Sequence, residues 1–257
     1  TITDLNDDLL GSAGMTWFDL HRFPDSWYAS PKAAEFHKRA EAALTNEFGE
    51  SGLFVMKDPR ACRLVPFWAT ALDAQGIRPA YVCIHRDPAE VAASLMRWAN
   101  YEPHYGQMLW LRHVLDAEIA TRGKRRVFVS YEQVLGDWRG LVDRIATDLD
   151  LVFPRSVQTA GRGVQGFLSR DLKHLSAETV EFPRLAETSD RSAATWAIVS
   201  RWSPTRADGS DHAMLDQIRG ALDAASDTMV PVLDELLARY REAVRARALI
   251  GDGQLER

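Results

Sequence analysis

The residues best suited to chemistry gather at one junction and two shorter turns. Tyr81-Val-Cys-Ile84 is a short apolar run that leads through His85-Arg86-Asp87-Pro88 into a segment carrying Val91, Ser94, Leu95 and Trp98. Asp87 can accept the free amide hydrogens of a first helical turn, and Pro88 fits the first helical position. A guanidinium beside a positive helix end suits an anion such as a phosphate or sulfate. Lys57, Asp58 and Arg60 follow another apolar run, Leu53 to Met56, and Ser130 and Tyr131 follow a third, Val127 to Val129.

These groups need a scaffold that brings the three turns together. Residues 53–57, 81–84 and 127–129 are expected as short strands, separated by helical segments. Helices are expected over residues 4–10, 31–48, 64–75, 103–122 and 131–149. Gly11 to Gly14, Gly49, Gly76 and Gly123 stand at the expected stops. Ser130-Tyr-Glu-Gln133 has the spacing of a capping box, and its helix is expected to break near Gly136. Strands alternating with helices indicate βαβ units and a parallel sheet. Ligands of such sheets bind beyond the strand carboxyl ends, which puts Lys57, Asp58, Arg60, Arg86, Ser130 and Tyr131 on one edge. After Pro154, the glycine-rich basic stretch 161–170 is expected as an ordered loop over the site. Helices are expected again over 192–202 and 215–249, with Pro231 as a break.

The bulk composition sets limits on partners. The chain of 257 residues is 46% hydrophobic and 26% charged, with a net charge of -5. That is the composition of an ordinary soluble globular protein, and its acidity argues against non-specific nucleic-acid binding. No apolar run approaches the about 18 residues of a membrane span, and the acidic first residues do not form a signal peptide. Cys62 and Cys83 sit in apolar contexts without a metal-type cluster, which fits buried thiols in a reducing, cytoplasmic setting.

Taken together, Lys57-Asp-Pro-Arg60, Arg86-Asp-Pro-Ala-Glu-Val-Ala-Ala-Ser94 and Tyr131-Glu-Gln-Val-Leu-Gly-Asp-Trp138 resemble, in order and spacing, the bacterial members of the sulfotransferase superfamily. Those enzymes use 3'-phosphoadenosine 5'-phosphosulfate (PAPS) as sulfuryl donor, and the resemblance covers residues 4 to about 151. It implies a three-layer P-loop-type α/β domain, with a central parallel sheet flanked by helices and with C-terminal helices added. The single domain 1–257 would divide into a nucleotide-binding core (1–150), a basic loop region (151–190) and a helical C-terminal part (191–257). The resemblance assigns Arg86 and Ser94 to the donor's 3'-phosphate. A serine two helical turns beyond the arginine can reach the same anion if the helix packs across it. A surface pair between Arg86 and Glu90, with Ser94 as a packing residue, is the simpler alternative.

By the same resemblance Tyr131 contacts adenine, Lys57 lies near the reacting sulfuryl group, and Arg60, Arg162 and Arg170 help to hold the donor. Asp58 is either a general base, the N-cap of the next helix or the partner of Arg60. Tyr131 equally well packs on the helix it begins, and Arg162 and Arg170 equally well stand in solvent. The acceptor would be a small-molecule or carbohydrate hydroxyl or amine, no metal is needed, and adenosine 3',5'-bisphosphate is the product. Residues 17–28 and 101–105, rich in aromatics, would line the acceptor pocket and stack on a sugar or an aromatic ring.

The sequence departs from the family pattern at its start. A first strand with a phosphate-cradling loop is not recognisable in it, because residues 4–10 before Gly11-Ser-Ala-Gly14 are helical and acidic. The alternative to an enzyme is therefore a catalytically silent fold that binds a nucleotide or a protein partner, with homodimerisation left open. A kinase-like reading is weaker, since no Gly-x-x-x-x-Gly-Lys-Ser/Thr motif occurs.

Overall fold

The computed structural model describes residues 1–168, 186–202, 209–229 and 232. It is mostly helical, with a small parallel sheet flanked by helices. Helix α1 (Ile2–Ser12) starts at Thr1, which forms a complete capping box with Asp4. A 3-10 turn (Asp25–Ala29) leads into α2 (Pro31–Phe48), and a second one (Ala61–Arg63) leads into α3 (Val65–Asp73). Strand β1 (Tyr81–His85) is followed by α4 (Pro88–Ala99) and α5 (Pro103–Thr121). Strand β2 (Arg126–Ser130) then opens α6 (Tyr131–Asp148), which kinks at Asp137. Helices α7 (Val157–Phe167) and α8 (Ala186–Trp202) follow, and residues 212–229 form α9.

β1 and β2 pair in parallel, with Tyr81 opposite Arg126 and His85 opposite Ser130. Residues 53–57 do not form the expected strand, so among the described residues the sheet has two strands rather than three. The alternation that suggested a strand is satisfied in another way. Phe54 and Met56 turn into the N-terminal helical cluster, where Phe54 stacks on Phe48 at 4.0 Å, while Val55 is left 78% exposed. Burial of alternate side chains on a helix pair gives the same period of two as burial on a sheet.

Two larger apolar clusters and a small one account for the core. The first joins α1, α2, α3 and the 3-10 turns through Leu9, Leu10, Trp27, Phe36, Leu64 and Phe67. The second sits between one face of the sheet and α5, α8 and α9, and includes Phe128, Leu111, Leu115, Val199 and Trp202. On the other face α6 covers Val127 and Val129 of β2, but Val82 and Ile84 of β1 stay 46% and 61% exposed.

A close helix crossing fixes α4 on α5. A Cβ added at Gly106 would lie 2.9 Å from the Ala92 Cα, so only glycine fits there. Gly106→Val is expected to force the helices apart and to cost about 1–3 kcal/mol. Urea denaturation checks this, and a stability unchanged from the parent refutes it.

Residues 161–167 are helical where a loop was expected. Ser156 caps α7 through the Thr159 amide, and Gly161 lies against Arg139 and Trp138 of α6, while Gly163 and Gly166 face open space. Pro231 and the tail from Gly251 lie outside the described residues. Among the described residues no helix is long and apolar enough to cross a membrane.

Candidate functional site

The strand register determines what meets at the sheet edge. His85 and Ser130 are the last paired residues of β1 and β2, so Arg86 and Tyr131 leave the sheet side by side. The Arg86 guanidinium lies over the Tyr131 ring, 4.9 Å from its centroid, a cation–π arrangement that also fixes the tyrosine. Arg86 Nε donates to Glu90 Oε2 at 2.6 Å, and the indole N–H of Trp110 on α5 donates to the Arg86 carbonyl at 2.9 Å. Tyr131 therefore neither stands alone nor packs only on α6. One of its faces belongs to Arg86.

The helix start itself is already occupied. Asp87 accepts from the amides of Ala89 at 2.8 Å and Glu90 at 3.4 Å. Its carboxylate uses up the positive end of α4 that the sequence offered to an anion. An anion at this junction would depend on the Arg86 side chain and, further along, on Ser94. Ser94 is exposed one turn beyond Glu90, and Trp98 is exposed one turn beyond Ser94. Glu90, Ser94 and Trp98 follow each other at intervals of four along α4, and Arg86 stands just before its cap.

His85 stands beneath this edge, buried, with its ring 5.2 Å from Trp196 in an edge-on contact. Burial pushes its pKa down to about 4, against a hydrogen bond from the ring to the Val199 backbone that raises it. Burial does the same to His113 on α5, also to about 4. Both imidazoles stay neutral in the folded state at a pH where the unfolded chain takes up protons. Their contribution is complete above about pH 6.5 and is lost as the pH falls towards about 4. Titration of the imidazole C–H resonances tests this, and a ring that titrates near its ordinary value refutes it.

The Lys57 turn is held by contacts of its own. Asp58 has a buried carboxylate that accepts the Arg60 amide at 2.7 Å and the Arg60 guanidinium at 3.2 Å. Arg60 also pairs with Asp7 of α1, while Lys57 is exposed. Of the alternatives for Asp58, the pairing with Arg60 is the one observed. Because 53–57 is not a strand, no strand pairing sets this turn at the edge of β1 and β2. Arg170 lies outside the described residues, and so does the side chain of Arg162, whose backbone is in α7.

Sequence reasoning missed a buried charge cluster. Arg63 and Arg112 have fully buried side chains. Arg63 donates to Asp116 at 3.3 Å, to the Asp19 carbonyl at 2.6 Å and to the His21 carbonyl. Arg112 donates to the Leu20 carbonyl at 2.6 Å, to Asp116 at 3.2 Å and to Asp223 of α9 at 2.6 Å. Burial raises the Asp116 carboxyl pKa, and the two guanidinium groups oppose that rise. The Arg112/Asp116 spacing of four on one helix was the available signal, but it is also the spacing of an ordinary surface pair.

This cluster holds the segment 16–21, from which Trp17 and Phe18 project. Trp17 lies 6.2 Å from Trp98 and 6.4 Å from Tyr101, Phe18 lies 6.3 Å from Tyr101, and Tyr101 lies 5.4 Å from Tyr105. The two aromatic stretches noted in the sequence thus meet at the carboxyl end of α4. Among the described residues no group of three or more His, Cys, Asp or Glu side chains is placed to hold a metal ion. Comparison of the chain with protein-family models, with curated proteins and with solved structures finds no match.

Proposed function

We propose that the chain binds a 3'-phosphorylated adenine nucleotide at the β1–α4 junction and uses PAPS to transfer a sulfuryl group to an acceptor hydroxyl or amine. The observation that carries this reading is the meeting of Arg86 and the Tyr131 ring beyond two parallel strands, with Ser94 exposed on the helix that follows Arg86. A guanidinium, a hydroxyl and an aromatic face are what a phosphate, a ribose and a base require.

In the reaction the acceptor oxygen or nitrogen forms a new bond to sulfur, and the bond from sulfur to the bridging phosphate oxygen breaks. Adenosine 3',5'-bisphosphate leaves, and the acceptor's proton passes to a base. Such a step asks for in-line positioning and for cations near the sulfonate and the leaving phosphate. Lys57, exposed at its turn, is the cation we assign to the sulfonate. Arg86 and Ser94 anchor the donor. Asp58 is a poor candidate for the base, because its carboxylate is buried against Arg60. A silent nucleotide-binding fold is the second reading, favoured by the same occupied Asp58.

Calorimetry with adenosine 3',5'-bisphosphate tests the reading. Saturable binding that adenosine alone does not reproduce is the expected result. Absence of heat with the bisphosphate overturns both readings, and binding without transfer from PAPS to any acceptor selects the silent fold.

A further inference from the structure

Trp98 is 74% exposed at the end of α4, although its ring is large and apolar enough that burial would be favourable. It does not stand alone, since Trp17 and Tyr101 complete an aromatic corner around it. The corner is held from below. The Phe18 carbonyl accepts from the Tyr105 hydroxyl, and the Leu20 carbonyl accepts from Arg112 and, at 3.2 Å, from Ser226. The Asp19 carbonyl accepts from Arg63. A segment whose backbone is fixed by two buried guanidinium groups presents its aromatics with little entropy left to lose.

We propose that Trp17, Trp98 and Tyr101 form a binding platform for a neutral pyranose ring, and that an extended glycan is the acceptor. The second half rests on the sulfuryl-transfer reading, and the first half does not. Two observations select a sugar. The rings are splayed, at 45° between Trp17 and Trp98 and 44° between Trp17 and Tyr101, so no parallel slot exists for a flat aromatic ligand. A pyranose is thick, carries C–H groups on its faces and fills an open corner by resting on one ring while abutting another. The rim is polar and of mixed sign, with Arg97, Asn100 and Glu102 exposed beside Trp98. Such a rim can bond hydroxyls on every side, whereas a lipid surface or an apolar protein face would leave it unpaired.

The spacing along α4 adds the length of the glycan. Glu90, the partner of Arg86, and Trp98 are eight residues apart, which is about 12 Å of helix. That span exceeds one sugar ring. A chain of a few rings can rest on Trp98 and still bring one hydroxyl to a donor anchored at Arg86.

The test uses the whole chain, with cellotetraose, maltotetraose and chitotetraose as probes, and 2-naphthol and phosphatidylcholine vesicles as competitors for the interpretation. Binding is read by calorimetry and by the Trp98 indole N–H resonance, identified from its loss in Trp98→Phe. At least one tetrasaccharide is expected to shift that resonance. Trp98→Ala should weaken its binding about tenfold or more, and Trp98→Phe should weaken it less. No response to any tetrasaccharide overturns the proposal, as does sugar binding that Trp98→Ala leaves unchanged. Tighter binding of 2-naphthol than of every sugar, vesicle association that depends on Trp98, or a dimer that Trp98→Ala dissociates also overturns it. Titration of adenosine 3',5'-bisphosphate into the same variants separates the two readings. A tetrasaccharide that binds where the nucleotide does not leaves the platform standing and removes the donor site. A nucleotide that binds where no tetrasaccharide does removes the platform alone.

Discussion

Arg112→Ala is expected to destabilise the protein by about 3–5 kcal/mol, the largest effect of any single substitution considered for this chain. The Arg112 side chain is fully buried and meets three acceptors on three segments: the Leu20 carbonyl, Asp116 on its own helix and Asp223 on α9. Truncation leaves the carbonyl and the Asp223 carboxylate without this donor, in a place that water reaches poorly. Asp116 keeps only Arg63. The loss should depend on pH in a particular direction. Burial already raises the Asp116 pKa, and removal of one of its two cations raises it further. A carboxyl whose folded pKa lies above its unfolded value binds protons on folding, so it favours the folded state as the pH falls through the folded pKa. The difference between variant and parent should therefore shrink as the pH falls through the raised Asp116 pKa. Urea denaturation across that titration checks both the size and the slope, and a deficit that stays constant or grows on acidification contradicts the account. In Arg112→Leu/Asp223→Leu the unpaired charge on α9 is gone, and part of the stability should return.

Arg86→Ala is expected to weaken adenosine 3',5'-bisphosphate binding by about 2 kcal/mol or more, roughly thirtyfold. The guanidinium supplies charge-assisted bonds, and the α4 amides that might replace it are occupied by Asp87. Arg86→Lys should recover only part of the loss, because an ammonium is a point charge without the paired geometry. Arg162→Ala should cost less, since that residue stands within α7 rather than at a strand-to-helix junction. Removing Arg86 also takes a cation away from Glu90, whose side chain is buried. Arg86→Ala/Glu90→Gln avoids that charge and separates a folding defect from a binding defect. Equal losses for Arg86→Ala and Arg162→Ala, in variants that unfold like the parent, contradict the placement of the anion at the β1–α4 junction.

Much of the local structure was legible because its signals lie within a few residues of one another. Pro31 and Pro88 at helix starts, the Ser130/Gln133 capping box, the kink near Gly136 and the glycine after α5 all act over a single turn. The strand at 53–57 was misread because a period of two reports which side chains are buried, not what buries them. Here helices do, and no ladder forms. The stretch 161–167 was misread because glycines normally mark loops, whereas these lie in a helix that begins at a Ser156 cap and passes close to Trp138 and Arg139.

By itself the sequence determined that an arginine leaves a strand, that an aspartate and a proline start the next helix behind it, and that a serine follows on that helix. Those are properties of adjacent residues, governed by backbone sterics and by hydrogen bonds within one or two turns. The register of β1 on β2 lies beyond that range, and it sets Arg86 beside Tyr131. So does the joining of residues 16–21 to α5 and α9 through Arg63 and Arg112, which brings Trp17 to Trp98. Contacts between residues far apart in the chain depend on how whole helices and strands pack, so the Arg86–Tyr131 pair and the aromatic corner formed only in the tertiary structure.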